Sequence, residues 1–224
     1  MVIFGGVQKV SLMDYPDNVS IVFFTVGCNL RCPFCHNPDL IFNVINSFGN
    51  KRALDLITER KTLINSVVIT GGEPTLHNDL PYFISNIKKL GLKVKLDTNG
   101  LNPQMLSDCL NDLDYVAMDV KTSLKKYNLV GCDNTSLVKQ SIHLIMNKAK
   151  DYEFRITLAP GIVNLEDLDE IGSMIKGAKI VYLQQYRQGK LLDPNYNPSP
   201  YSFEQINLFK EVLSKYVSRV ELRI

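Results

Sequence analysis

Residues 66–100 read SVVITGGEPTLHNDLPYFISNIKKLGLKVKLDTNG. The stretch opens with SVVIT (66–70), a short β-branched run closed by two glycines, which predicts a strand. Leu80, Phe83, Ile87 and Leu90 then recur at helical spacing, with Pro81 in the first turn and Gly91 past the end. VKLD (94–97) is the next apolar run. Strand, helix and strand in that order predict a crossover between two parallel neighbours.

The same alternation runs outward in both directions. VSIVFFTV (19–26), YVAMDV (115–120), YEFRITL (152–158) and IVYLQ (180–184) are further runs rich in β-branched and aromatic residues. Val138, Ile142, Ile145 and Ala149 repeat a helical period. Asn164 is placed to cap a helix carrying Leu165, Leu168, Ile171 and Ile175. SFEQ (202–205) is a capping box ahead of Ile206, Phe209, Leu213 and Tyr216. Six strands, each followed by a helix or a helix-sized connection, predict an α/β fold with a parallel sheet. A closed eight-fold barrel typically takes about 250 residues. A chain of 224 residues with six units therefore predicts a partial, open (β/α)6 TIM-like barrel, with a doubly wound sheet as the alternative. Residues 1–224 read as one domain, and DPNYNPSP (193–200) as a surface loop.

Net charge is +2, from 25 basic and 23 acidic residues, which argues against an extended nucleic-acid footprint. No apolar run reaches the length of a membrane span. The opening MVIFGGVQKV lacks a basic leader followed by an apolar stretch, so a cytoplasmic protein is expected. Five cysteines in a reducing compartment are unlike a disulfide framework and favour metal binding or catalysis.

In parallel α/β folds chemistry gathers where strands end. Here the strands run into GCNLRCPFCHNPDL (27–40), GGEPT (71–75), DTNG (97–100), Asp119 with Lys121, and QQYR (184–187), while Arg155 interrupts an apolar strand. Cys28, Cys32 and Cys35 lie within eight residues. Two readings stay open from that spacing. One is a structural zinc site completed by a histidine, and His36, His77 and His143 are the candidates. The other is an iron–sulfur cluster with one iron left open, since a four-iron cluster takes four thiolates. Cys109 sits in a helical context and Cys132 in a loop, so neither is an obvious fourth ligand. Gly71 and Gly72 suit a close backbone approach to a ligand. Glu73 suits a charge-assisted hydrogen bond from a ligand ammonium.

The cysteine spacing together with GGEP resembles the radical S-adenosylmethionine (radical SAM) superfamily. That resemblance implies a [4Fe–4S] cluster on Cys28, Cys32 and Cys35, with S-adenosylmethionine chelating the open iron and its amino group received at Gly71, Gly72 and Glu73. It implies reductive cleavage to a 5′-deoxyadenosyl radical. Phe34 matches the position near the adenine, and Asn37 a position near the methionine moiety. Asp97, Thr98, the main chain of Met118 and Asp119 resemble a monovalent-cation site beside the ligand carboxylate, Lys121 is a candidate to face that carboxylate, and Arg155 to contact the ribose or carboxylate or else to neutralise a buried acid. Asp14, Tyr15 and Gln185 are candidates for a partner-facing rim.

GGVQKVSLMDYPDN, CHNPDL, VKLDTNG, YVAMDVKT and YLQQYRQGKLLDP are further similar to the activases of glycyl-radical enzymes. Within them they resemble the branch serving anaerobic ribonucleoside-triphosphate reductase, with the pyruvate formate-lyase type as a relative. No cysteine lies between His36 and Gly71, unlike activases with a ferredoxin-like insert. The implied partners are a glycyl-radical enzyme and a flavodoxin or ferredoxin donor.

Overall fold

The structure, a computed structural model, describes residues 1–223. In chain order the elements are β1 (Ile3–Ser11), β2 (Ser20–Thr25), α1 (Pro38–Phe42), β3 (Phe48–Gly49) and α2 (Asn50–Arg60). Then follow β4 (Ser66–Gly71), α3 (Leu80–Lys89), β5 (Lys93–Thr98), α4 (Pro103–Cys109), β6 (Tyr115–Asp119) and α5 (Ser136–Lys148). The chain closes with β7 (Tyr152–Leu158), α6 (Leu168–Met174), β8 (Val181–Gln185), α7 (Phe203–Leu213) and β9 (Val220–Arg223).

All six expected strands are present, as β2, β4, β5, β6, β7 and β8, and they lie side by side in that order, parallel throughout. The nine-stranded sheet is ordered β3-β1-β2-β4-β5-β6-β7-β8-β9, so β3 and β9 are its edges and the barrel stays open. Three strands go beyond the expectation. β1 pairs antiparallel with β2, β3 adds a two-residue antiparallel edge, and β9 pairs parallel with β8. The β1 sequence IFGGVQKVS mixes glycines and polar residues: β3 covers only Ile3 and Phe4, the rest of its outer side is unpaired, and its register on β2 is irregular, so no run of apolar residues marks it.

Strand alternation divides the sheet into two faces. Ile21, Phe23, Val67, Ile69, Val94, Leu96, Val116, Met118, Phe154 and Ile156 pack outward with Phe83, Ile87, Val138, Ile142 and Ile145 from the helices. Each such fully buried side chain contributes about 1.5–3 kcal/mol. The capping box forms as read: Gln205 N–H donates to Ser202 Oγ at 3.3 Å, and Ser202 N–H to Gln205 Oε1 at 2.8 Å. Tyr216, read as helical, lies past the end of α7. Asn164 heads a short 3-10 turn that leads into α6.

The inner face differs from an apolar barrel core. Val22, Val68, Tyr15 and Tyr115 make a small apolar floor at the start of the strands. Tyr15 is buried there, 5.5 Å from Tyr115 between ring centroids, so it is no rim residue. Asp14 accepts from Ser11 Oγ beside it. Gln185 donates to Tyr201 O at 3.0 Å. Above the floor the inner face is charged.

Glu153 on β7 is fully buried and accepts both guanidinium arms of Arg223 on β9, each at 2.9 Å. Tyr115 Oη donates to the same carboxylate at 3.0 Å, and Arg223 stacks 3.5 Å from the Tyr182 ring centroid. This pair ties the edge strand β9 to β7 across β8. Arg223→Ala leaves the buried carboxylate with one donor. The expected loss is about 2–3 kcal/mol, below the ~3–5 kcal/mol of a wholly buried pair because Arg223 is 34% exposed. Urea unfolding of the cluster-free protein checks it.

Candidate active site

The site begins where β2 ends. Gly27 turns the chain with φ at +87°, and its N–H donates to Leu40 O at 2.9 Å. The cysteine loop is then pinned from three sides. Arg31 N–H donates to Val130 O at 2.8 Å. Leu192 N–H donates to Cys35 O at 2.9 Å, and Asp193 N–H to Pro33 O at 3.1 Å. Cys32 is buried, while Cys28 and Cys35 are half-buried.

The glycines of GGEP have a role beyond the expected ligand approach. Gly72 N–H donates to Thr25 O at 2.9 Å and Glu73 N–H to Gly27 O at 2.8 Å. A Cβ on Gly72 would lie 1.9 Å from Gly27 O, and one on Gly71, where φ is +112°, would lie 2.4 Å from Thr25 N. Only glycine lets the end of β4 press against the turn that launches the cysteines.

Glu73 is 1% exposed and well supplied with donors. Its Oε1 accepts from Thr75 Oγ1 at 2.6 Å, Thr75 N–H at 3.1 Å and Thr98 Oγ1 at 2.8 Å. Its Oε2 accepts from Asn99 N–H at 2.7 Å. Burial raises the Glu73 carboxyl above its ordinary range, and these hydrogen bonds oppose the rise. Oε2 keeps lone-pair capacity toward the cavity.

Asp97, Asp119 and Arg155 come together across three adjacent strands. Arg155 donates from NH1 to Asp97 Oδ2 at 2.9 Å and from Nε to Asp119 Oδ1 at 2.7 Å. Lys121 Nζ donates to Asp119 Oδ2 at 2.9 Å. Lys95, almost fully buried, sets its Nζ 2.8 Å from Asp97 Oδ1 as an ion pair rather than an aligned hydrogen bond. Burial alone would raise both carboxyls. The charges of Arg155 with Lys95 and with Lys121 outweigh it, and hold both below the usual carboxylate range. Burial would likewise lower Lys121, but Asp119 raises it.

Three of the four residues expected around a monovalent cation, Asp97, Thr98 and Asp119, have side-chain partners of their own. Both carboxylates answer to cationic side chains, and the Thr98 hydroxyl donates to Glu73. Met118 is fully buried, and its Cε lies where a Cβ on Gly100 would approach within 2.1 Å.

These strand ends enclose a cavity of about 240 Å³. Cys28, Cys32, Cys35, Phe34, His36, Asn37, Gly71, Gly72, Glu73, Asp97, Thr98, Asp119, Lys121 and Arg155 all line it. Asn99, Thr70 and Thr157 line it as well and were missed in the sequence. Lys95 was missed too, although it lies two residues before Asp97 and so on the same strand face. Asn99 read as part of a turn, with nothing in DTNG to distinguish its side chain.

The distant histidines are spent elsewhere. His77 Nε2 lies 3.1 Å from Val26 O, and exposed His143 is beside Asn147 on α5. Cys109 ends α4, buried in the core. Among the described residues no three His, Cys, Asp or Glu side chains converge on a single-ion position, which is unlike a tetrahedral zinc site. Three separate, unpaired thiols around one cavity do fit a cluster that offers each thiolate its own iron. Burial pushes the Cys32 thiol up to about 12 and raises Cys28, so without a bound metal both are neutral thiols.

The acid limb of stability follows from the depressed carboxyls. Their stabilisation is fully present above the unfolded value of about 3.9 and is lost as pH falls from there through the native values. Asp119→Asn removes one such group. The variant is expected to lose about 1–3 kcal/mol near pH 7. It should also show a shallower decline below about pH 4, read by urea unfolding of the cluster-free proteins across pH.

Comparison with known proteins agrees with this geometry. Residues 22–175 match the radical SAM superfamily. A Methanocaldococcus jannaschii protein whose name assigns it to the glycyl-radical enzyme activating enzymes is 30% identical over 233 residues, covering 98% of this chain and 95% of its own. The pyruvate formate-lyase-activating enzyme of Streptococcus mutans is 26% identical, covering 79% of this chain and 73% of its own. The structure of QueE from Escherichia coli superposes with a TM-score of 0.60 at 16% identity, over 99% of this chain and 93% of that one, and shares the fold. No helix among the described residues is long and apolar enough to cross a membrane. With three cysteines and a glycine–glutamate turn locked on one cavity at the strand ends, the chain belongs to the radical SAM superfamily.

Proposed function

We propose that this enzyme is an activase that places a glycyl radical on anaerobic ribonucleoside-triphosphate reductase. The observation that carries the reading is the contact of the two motif turns. Glu73 N–H donates to Gly27 O, so three thiols and a buried carboxylate face one cavity. Cys28, Cys32 and Cys35 would hold three irons of a [4Fe–4S] cluster, with S-adenosylmethionine beside it. Together these cofactors supply the one-electron cleavage that yields a 5′-deoxyadenosyl radical.

The chain's own residues bind and orient. Glu73 Oε2 is the acceptor for the ligand ammonium. Lys121 spends one N–H on Asp119 and has two more to offer a carboxylate. Arg155 is held rigidly by its two aspartates and contributes fixed positive charge beside the cavity. Phe34, 5% exposed, gives an apolar wall whose ring lies 6.4 Å from Tyr196. The monovalent cation implied by the resemblance would share these carboxylates with Arg155, which takes Asp97 Oδ2 and Asp119 Oδ1.

The reductase as partner rests on the motif likeness across the chain and on the lack of cysteines between His36 and Gly71. The relatedness to a pyruvate formate-lyase-activating enzyme makes a lyase the second reading. A low-potential flavodoxin or ferredoxin serves as electron donor in either case, since reducing a sulfonium calls for the low end of the roughly −700 to +450 mV cluster range.

Anaerobic reconstitution should load iron and sulfide in equal amounts, about four of each per chain. With dithionite and S-adenosylmethionine the protein should release 5′-deoxyadenosine, and Cys32→Ala should lose both cluster and product. Stoichiometric zinc without iron or sulfide would falsify the mechanism. Electron paramagnetic resonance on mixtures with candidate glycyl-radical enzymes decides the partner: a glycyl doublet is expected on the reductase, and a doublet confined to a lyase overturns that choice.

A further inference from the structure

The turn that follows β5 holds a residue with no assigned role. Asn99 is 5% exposed, and its backbone N–H and both polar side-chain atoms are engaged. Its backbone N–H donates to Glu73 Oε2 at 2.7 Å. Its Oδ1 accepts from Leu101 N–H at 3.0 Å. Its Nδ2 donates to Asn29 Oδ1 at 2.8 Å and lies 3.8 Å from Cys28 Sγ, within N–H···S reach. The neighbours settle the amide orientation. Flipped, it would set oxygen against Asn29 Oδ1 and a donor against the Leu101 N–H.

The turn itself is rigid. Gly100 takes φ of +78°, its N–H donates to Thr98 Oγ1 at 3.1 Å, and its carbonyl accepts from Ser141 Oγ at 2.7 Å. Asn99 therefore reaches Cys28 from a fixed platform. An asparagine that only shapes a turn needs its Oδ1 contact with the N–H two residues on. That contact leaves the Nδ2 position unexplained. Leu30 N–H donates to the same sulfur at 3.4 Å. Among the described residues Cys28 has two N–H donors, while Cys32 and Cys35 have no side-chain sulfur bond of this kind.

We propose that Asn99 is a positioning residue that tunes the cluster through an N–H···S hydrogen bond to Cys28. The inference rests on the iron–sulfur reading above. A thiolate bound to iron accepts hydrogen bonds better than a neutral thiol. A donor withdraws electron density from the sulfur and favours the reduced, more negative cluster, which raises the reduction potential. Asn99 thereby brings the reduced state within reach of the electron donor. The same residue's N–H steadies Glu73, so one turn serves both the metal side and the ligand side of the cavity.

The test is a redox titration followed by electron paramagnetic resonance on the reconstituted protein. Asn99→Ser keeps a hydroxyl able to accept from Leu101 N–H but reaches no sulfur. It should load a full cluster and show a more negative midpoint. The ratio of reduced to oxidised cluster at the native midpoint should fall about tenfold, ~59 mV for one electron. An unchanged midpoint with a full cluster overturns the proposal. A merely turn-shaping role would lower the melting temperature of the cluster-free variant and leave the midpoint alone. If Asn99→Ser loads poorly, Asn99→Thr likewise keeps a hydroxyl acceptor for Leu101 N–H, adds no charge and reaches no sulfur. A lower midpoint there supports the proposal, and an equal or higher one overturns it. Failure of both variants to load, when the native protein does, makes Asn99 a scaffold residue and also overturns it. Failure of the native protein to form any cluster instead refutes the underlying iron–sulfur reading.

Discussion

The backbone of Gly72 and Glu73 lies directly on that of Thr25 and Gly27, and the cavity takes its shape from this contact. Two parallel neighbours, β2 and β4, end at the same height, with Thr25 opposite Gly71 in register. Beyond that level each chain must turn away, and their polar groups must find partners. They find each other, through Gly72 N–H to Thr25 O and Glu73 N–H to Gly27 O. The cysteine loop is thus hung from the same hydrogen bonds that aim Glu73. Any side chain at residue 72 would part the two turns.

Around that contact the charged side chains form a single alternating series. Lys95, Asp97, Arg155, Asp119 and Lys121 run across β5, β7 and β6 with each carboxylate held between two cations. Buried charges of this number persist only because each is paired and hydrogen-bonded. The arrangement leaves one more cation than anion on that side of the cavity, facing three thiols and Glu73 on the other. Lys121 contributes a cation and Glu73 a hydrogen-bonded carboxylate to the same cavity.

Six strands, their parallel order and the open barrel were legible because each strand is an apolar run separated by a helical period. That signal is local. β3 and β9 escaped because each is a sheet edge, and β1 because β3 covers only its first two residues, so most of its outer side needs no apolar partner. α2 escaped for a similar reason, its apolar face being reduced to Ala53, Leu56 and Ile57. Tyr15 was misplaced at a rim because a loop's burial depends on what the rest of the sheet encloses. Here it closes the floor beneath Val22, Val68 and Tyr115.

The sequence by itself determined which reactive residues the chain carries and the alternation that delivers them to the strand ends. Cysteine spacing, GGEP and the acidic and basic strand ends are covalent facts, and their chemistry follows from residue type. Tertiary structure alone decided which partner each group has. Asp97 and Asp119 are 22 residues apart in the chain, yet one arginine claims both, because β5, β6 and β7 stand side by side and Arg155 faces the same interior. The glycines of GGEP could equally have served a ligand, until the approach of Gly27 O showed which backbone they must admit. Asn99 looked like turn punctuation until folding set its amide beside Cys28, 71 residues earlier. Such pairings arise from distances between strands, and no local pattern encodes them.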